Sequence, residues 1–313
     1  MQIDSAFPRL AEVKSEILRR WPEHETYIDK SLADRKPEVM RVSDTLSDVV
    51  LRLADDIPGG IDTLCDDYRF LCEKIVLPEE LHFVRNGRYR LSSFEDANRE
   101  CYANAPFMNR YMNGLLVSDI IWDNHAHAIG SFINHYLPRL KPGSDHLEIG
   151  PGHGIFLYFA AQSPNVESVT AWDVSQTSID NTRHALKTLG VERPVELVLQ
   201  NLFDVGEADE GGRFDSIVMS EILEHLEDPV AALKAASKWL RPGGYLWINV
   251  PANSPAPDHI FLVNNVEHAE QLVLEAGLEV VESNAFPMSG TTLEKAIKRK
   301  QAVSCVVTTR KPG

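Results

Sequence analysis

Three glycines at alternate positions, Gly150, Gly152 and Gly154, carry the first chemistry legible in this chain. They follow Leu147-Glu148-Ile149, an apolar run broken by one acid, and precede Ile155-Phe156-Leu157-Tyr158-Phe159-Ala160-Ala161. A strand, a glycine turn and a helix in that order set backbone N–H groups and the positive end of a helix at the carboxyl edge of a sheet. Glycine lets the backbone bend sharply there and leaves room for a ligand. The spacing departs from the dinucleotide fingerprint G-x-G-x-x-G, because Ile155 stands where that pattern needs Gly or Ala. Glu148, just before the turn, lies close to where a cationic ligand group would sit.

Further candidates fall at the ends of expected strands. Asp173 closes the apolar run Val166–Trp172, where a carboxylate either accepts hydrogen bonds from ribose hydroxyls or caps the next helix. After Phe214–Ser220 comes Glu221-Ile222-Leu223-Glu224-His225. His225 is a candidate general base because an unperturbed imidazole titrates near neutrality, and Glu224 is another. Asp258-His259, in a proline-rich loop after the fifth strand, offers a third. The choice among His225, His259 and Glu224 stays open. His125-x-His127 with Asp123 has the right residue types for a metal, but rings at i and i+2 of a helix do not share a face, so no metal is expected.

Strands and helices alternate from Asp145 onward, which predicts an α/β domain with a doubly wound sheet. Strands are expected at 145–149, 166–172, 195–200, 214–220, 245–250, 278–282 and 302–309, seven in all. Ser175 caps the helix that Gly190 closes, and Arg241-Pro242-Gly243-Gly244 stops the helix from Pro229. Before this domain the pattern is mainly helical, with Leu10, Val13, Ile17 and Leu18, then Leu46, Val49, Val50 and Leu53, at helical spacing. A helix over Ile61–Val76 is expected to end at Pro78. Asn86-Gly87, between short alternating runs in 81–91, predicts a β-hairpin. Domains of 1–135 and 136–313 follow, with Pro142-Gly143 as the hinge.

Composition narrows the function. Of 313 residues, 43% are hydrophobic and 25% charged, ordinary for a soluble globular chain long enough for two domains. The net charge of −15 argues against a nucleic-acid substrate, since phosphate backbones are gripped through Lys and Arg. The four cysteines show no C-x-x-C pair and no zinc spacing, which fits a reducing, cytoplasmic setting. Asp4, Arg9 and Glu12 leave no apolar signal core, and no apolar run reaches membrane-spanning length.

The run Glu148-x-Gly150-x-Gly152-x-Gly154 resembles motif I of the class I S-adenosylmethionine-dependent methyltransferases. Leu223-Glu224-His225 after the fourth strand and Leu240-Arg241-Pro242-Gly243-Gly244 before the fifth are similar to the ubiquinone-type and related small-molecule members. The resemblance runs from Asp145 to about Val250. It implies S-adenosyl-L-methionine as cofactor, with Glu148 and the glycine turn at its methionine end and Asp173 with Val174 at the ribose. Asn201, Leu202 and Phe203 would hold the adenine, although the family more often has Asp at the position of Asn201. Ser220 and Tyr111 join the cofactor set, Tyr111 from the aromatic lead-in Tyr102–Asn113, which is either a lid or core. A last strand inserted antiparallel is part of the implied fold. The expected hairpin makes the N-terminal region resemble a winged helix, as in O-methyltransferases that dimerise through such a domain. A homodimer is therefore expected, and a compact aromatic or keto/enol acceptor, of secondary metabolism, methylated at oxygen or carbon. The alternatives are an amine or amino-acid acceptor, or a cofactor-sensing regulator that binds DNA through Arg85, Arg88 and Arg90. There is no Asn/Asp-Pro-Pro-Tyr after the fourth strand, which weighs against amino methylation of nucleobases.

Overall fold

The computed structural model describes residues 6–33, 35–204 and 212–313. They form two compact units. The first takes the described residues up to Gly130 and adds Ser254–Ile260 and Phe286–Val303; the second holds Ser131–Asn253, Phe261–Ala285 and Ser304–Gly313. Among the described residues, no helix is long and apolar enough to cross a membrane.

In the first unit the α-helices are α1 (Pro8–Arg20), α2 (Glu25–Ala33), α3 (Pro37–Ala54), α4 (Gly60–Phe70), α5 (Leu77–Asn86), α6 (Phe94–Ala97), α7 (Ala105–Ile121) and α8 (Asp123–Ser131), with a short helix, Leu293–Arg299, from the later segment. Helical spacing sets what each buries: Leu10, Val13 and Ile17 on α1, and Val39, Val42, Leu46, Val49 and Leu53 on α3. Arg35, buried between α2 and α3, closes the far end of α7. Its guanidinium donates to the Ile120 and Ile121 carbonyls at 2.8 and 2.7 Å, to Ser43 Oγ at 2.7 Å and to Asp123 at 3.1 Å. Those two carbonyls belong to the last turn of a helix, where no intrahelical donor remains.

The expected hairpin over 81–91 is a helix instead. Residues 77–86 form α5, and Gly87, at φ 67°, ends it by donating its N–H to the Phe83 carbonyl at 2.7 Å. Gly in the left-handed region serves a type I′ turn and a helix C-terminus equally well, so Asn86-Gly87 could not distinguish them. The expected helix over Ile61–Val76 is helical throughout, α4 passing into a π-helical stretch, Leu71–Val76, that runs directly into α5. Pro78 therefore lies in the first turn of α5, which needs no N–H from it, and does not end the helical run. Among the described residues no strand precedes Ser144. The winged-helix reading is thereby corrected, and the homodimer and the DNA-binding regulator lose the hairpin they rested on.

The second unit is built on seven strands: β1 (Ser144–Ile149), β2 (Val166–Asp173), β3 (Val195–Leu199), β4 (Phe214–Ser220), β5 (Leu240–Ala252), β6 (Glu279–Pro287) and β7 (Val303–Arg310). Their order is β3-β2-β1-β4-β5-β7-β6, with the first four neighbouring pairs parallel. Gly243 N–H bonds the Lys311 carbonyl, and Lys311 N–H the Gly244 carbonyl. The start of β5 therefore meets the end of β7, and β7 runs antiparallel to it, as expected. The linking helices are α9 (Ile155–Gln162), α10 (Gln176–Thr188), α11 (Pro229–Trp239) and α12 (Val266–Glu275). Right-handed crossovers that step outward from β1 in opposite directions put helices on both faces. The order reverses between β1 and β4, and the crevice at that reversal is where such sheets bind ligands.

Beneath this sheet Trp247 and Phe132 are fully buried, with ring centroids 5.4 Å apart. Next to Phe132 lies His146, also fully buried, with Nδ1 2.9 Å from Ser216 Oγ on the neighbouring strand. Burial pulls its imidazole down to about 3. The unfolded ring takes up a proton near 6.5, so unfolding binds a proton between those values and stability falls as pH drops through that window. His146→Asn keeps an amide in place of Nδ1 and does not titrate. The wild-type unfolding free energy from urea titration is expected to fall relative to the variant's from pH 6.5 towards pH 4, by on the order of 1 kcal/mol per pH unit. Parallel pH curves would show that His146 does not control acid stability.

Candidate active site

The site in the second unit grows from the end of β1. Gly150, Gly152 and Gly154 have φ of 68°, 52° and 75°. At Gly150 a Cβ would lie 2.3 Å from Ile222 Cδ1, so the turn after β1 passes hard against the turn after β4. Gly150 donates its N–H to the Trp172 carbonyl at 2.8 Å, fixing the turn to β2. Glu148, only 2% exposed, lies under this turn. Burial pushes its carboxyl well above the ordinary range, and a hydrogen bond from the Leu157 backbone opposes that shift. Leu157 stands in the first turn of α9, whose Gly154 cap has no side chain, so Glu148 supplies the missing acceptor. Its Oε2 is buried with no hydrogen-bond partner among the described residues.

At the end of β2, Asp173 accepts from the Ser175 N–H at 2.8 Å and from the Ser178 hydroxyl at 2.6 Å. It thus fastens the start of α10, while Ser175 caps that helix through Ser178 N–H. Val174, the next residue, is 64% exposed. Beyond β3, Asn201 Oδ1 accepts the Phe203 N–H at 2.9 Å, an Asx turn that engages its amide oxygen. Leu202 is buried, whereas Phe203 is 52% exposed. Two large apolar side chains therefore stand in solvent at the ends of adjacent strands.

After β4 the backbone is strained. Glu221 has φ 53°, and its N–H donates to the Asn249 carbonyl at 2.8 Å. Asn249, opposite Ser220 in the β4–β5 register, donates Nδ2 to Glu221 Oε1 at 2.8 Å and to Ser220 Oγ at 3.3 Å. Asn249 and Glu221 were missed from sequence. The available signal was a polar residue interrupting the apolar run Leu246-Trp247-Ile248 just before the strand ends. A single 3-10 turn, Leu223–His225, follows. Glu224 is fully buried and its carbonyl accepts the Phe261 N–H at 3.0 Å; His225 Nε2 lies 3.6 Å from its carboxylate.

Tyr111 and His259 belong to the first unit. Tyr111, buried on α7, donates its hydroxyl to Asp258 Oδ1 at 3.3 Å. His259 is buried beside it in sequence, with Nδ1 2.7 Å from the Ser254 carbonyl. A carbonyl only accepts, so in the neutral ring Nδ1 carries the proton and Nε2 the basic lone pair. His125 and His127 turn to different aspartates, Asp119 and Asp123, at 3.1 and 3.2 Å.

A family model described as "Methyltransferase domain" matches residues 121–301, more than half of the chain. The ubiquinone biosynthesis O-methyltransferase of Xanthomonas axonopodis pv. citri (strain 306) is 32% identical over 133 residues, which is 42% of this chain and 53% of that protein. The protein of the same name from Xanthomonas campestris pv. campestris (strain B100) is 32% identical over 37% of this chain and 46% of its own length. The chain thus spans about half the length of these relatives. Among solved structures, the [4+2]-cyclase SpnF aligns with a TM-score of 0.48 and 17% identity, over 61% of this chain and 82% of its own. A SAM-dependent methyltransferase from Methanosarcina mazei aligns at 0.45 and 17%, over 57% and 97%.

Gly150 carries the sharpest constraint in the site. Gly150→Ala forces a side chain into left-handed backbone, at about 1–2 kcal/mol, and displaces Ile222. The dissociation constant for S-adenosylhomocysteine is expected to rise about tenfold or more by calorimetry, with the far-ultraviolet circular dichroism unchanged. Adding Ile222→Ala removes the collision but not the backbone strain, so only part of the affinity returns. An unchanged constant in Gly150→Ala would mean that this turn does not shape the site.

Proposed function

The chain belongs to the methyltransferase-domain family, whose cofactor is S-adenosylmethionine, and we propose that it methylates a small organic acceptor. The observation that carries the reading is the left-handed glycine turn pressed against Ile222 at the crevice between β1 and β4. Its surroundings fit the cofactor. The turn is a cradle that a Cβ would fill at Gly150, and Glu148 Oε2 is a buried acceptor that a cationic amine would satisfy. Asp173 is an acid with lone pairs to spare for ribose hydroxyls, held in place by Ser175 and Ser178. Val174 and Phe203 are apolar surfaces for a purine ring, and Asn201, with Oδ1 engaged, offers Nδ2–H to a ring nitrogen. Leu202, between Asn201 and Phe203, is buried, and Ser220 carries the Asn249 contact at the end of β4.

When bound, the cofactor supplies an electrophilic methyl group on a sulfonium centre. The chain's task is to orient both partners and to take a proton from the acceptor. His259 suits the second role, since the Ser254 carbonyl fixes Nδ1–H and leaves Nε2 basic, the orienting logic of a catalytic triad. His225, next to buried Glu224, is the other candidate. An oxygen acceptor on an aromatic or enolisable metabolite is favoured, with support from the relatives named O-methyltransferases. None of the four cysteines, all among the described residues, is joined in a disulfide, which supports a cytoplasmic setting.

Calorimetry is expected to show binding of S-adenosylhomocysteine and none of NAD; the reverse would overturn the reading. Methyl-labelled cofactor offered with phenolic, indolic, keto-acid and amine acceptors, read by mass spectrometry, identifies the acceptor atom. With an oxygen acceptor, His259→Ala is expected to lower turnover by about a hundredfold. Wild-type turnover in both His259→Ala and His225→Ala would remove histidine from the proton transfer.

A further inference from the structure

The geometry points to Tyr89 as the residue that positions His259, and this inference rests on the reading of His259 as the acceptor's base. Tyr89 follows the glycine that ends α5, in a stretch without regular structure, and is 5% exposed. It reaches His259 in two ways. Its hydroxyl accepts the Ser254 N–H at 3.2 Å, and the carbonyl of that same residue accepts from His259 Nδ1 at 2.7 Å. Its ring also meets the imidazole edge to face, with centroids 5.8 Å apart and planes at 62°. The hydroxyl therefore holds the residue that selects the tautomer, and the ring limits how the imidazole can turn.

The anchor is itself fixed. Phe83 of α5 packs on Tyr89 with centroids 5.6 Å apart. Arg90, the next residue, donates to Glu79 of α5 at 2.9 Å and to Glu100 at 2.7 Å. The loop that Tyr89 grips is tied at two further points, by Cys101 Sγ to the Pro257 carbonyl at 3.3 Å and by Tyr111 to Asp258. Those contacts hold the loop's backbone and Asp258, and Tyr89 touches both Ser254 and the imidazole ring. A purely packing role would need the ring alone. The hydroxyl, bonded to the residue whose carbonyl fixes Nδ1, indicates control of the base.

The test compares Tyr89→Phe, which keeps the ring, with Tyr89→Leu, which loses both features, in the full chain. Histidine ring nitrogens labelled with ¹⁵N report the tautomer of His259 without substrate or cofactor, and His259→Ala assigns its signal. Tyr89→Phe is expected to shift His259 from pure Nδ1–H to a tautomer mixture and to lower kcat about tenfold with KM for the cofactor unchanged. Tyr89→Leu is expected to do both more strongly. An unchanged tautomer signal in Tyr89→Phe would overturn the positioning role, whatever the activity. Full turnover in His259→Ala would instead overturn the base reading, while a shifted tautomer in Tyr89→Phe would still support the link from Tyr89 to His259.

Discussion

The backbone at Gly150 has to turn left-handed within contact distance of Ile222, and much of the second unit is arranged to make that turn rigid. Thr182 of α10 donates its hydroxyl to the Gly152 carbonyl at 2.8 Å, and its methyl lies 3.2 Å from where a Cβ on Gly154 would be. One turn earlier on the same helix, Ser178 donates to Asp173. The glycine turn and the ribose-binding candidate are therefore joined through two side chains at i and i+4 of one helix. That spacing places both on one face. A displacement of α10 would move Asp173 and the Gly152 carbonyl together, which keeps their separation constant.

Glu148 shows how the same turn is supported from below. A carboxyl taken out of water resists ionisation, and its shift far above the ordinary range expresses that cost. The Leu157 N–H and the positive end of α9 act in the opposite direction. An acid at this point of β1 thus has a structural use, closing the first turn of α9 where Gly154 has no side chain to offer. It also keeps one oxygen in reserve, since Oε2 has no partner among the described residues. A cationic ligand group arriving there would favour the ionised form, so ligand binding and deprotonation of Glu148 would be linked.

The sheet and its glycine turn were legible because hydrophobic alternation and left-handed glycine both leave strong local signals. Asp173 was legible for the same reason, lying at a strand end. The N-terminal region was not, and Asn86-Gly87 shows why. The dipeptide reports a positive φ, which a hairpin and a helix end share, so it does not decide between them; in the structure it ends a helix that buries Phe83. The composition of the first unit was equally hidden. Ser254–Ile260 and Phe286–Val303 lie far along the chain, and no periodicity marks which unit will bury them. Asn201 was placed correctly at a strand end, but its own backbone claims its oxygen, a local competition typical of Asn and Asp.

Backbone strain gathers at one edge of the sheet. Three non-glycine residues have positive φ among the described residues, and two of them, Glu221 and Asn253, follow the adjacent strands β4 and β5; Lys300 ends a short helix. Each such residue costs on the order of 1–3 kcal/mol, so it persists only where neighbours hold it. At Glu221 the holding bonds come from Asn249, which binds its N–H and its carboxylate at once. At Asn253 they come from Val263, whose carbonyl accepts its N–H at 3.0 Å, and from Asn264, whose carbonyl accepts its Nδ2 at 2.7 Å. Stability alone would favour glycine at both places. Retaining a carboxylate and an amide there, with dedicated partners for each, argues that the edge is shaped for the groups it presents rather than for the fold it completes.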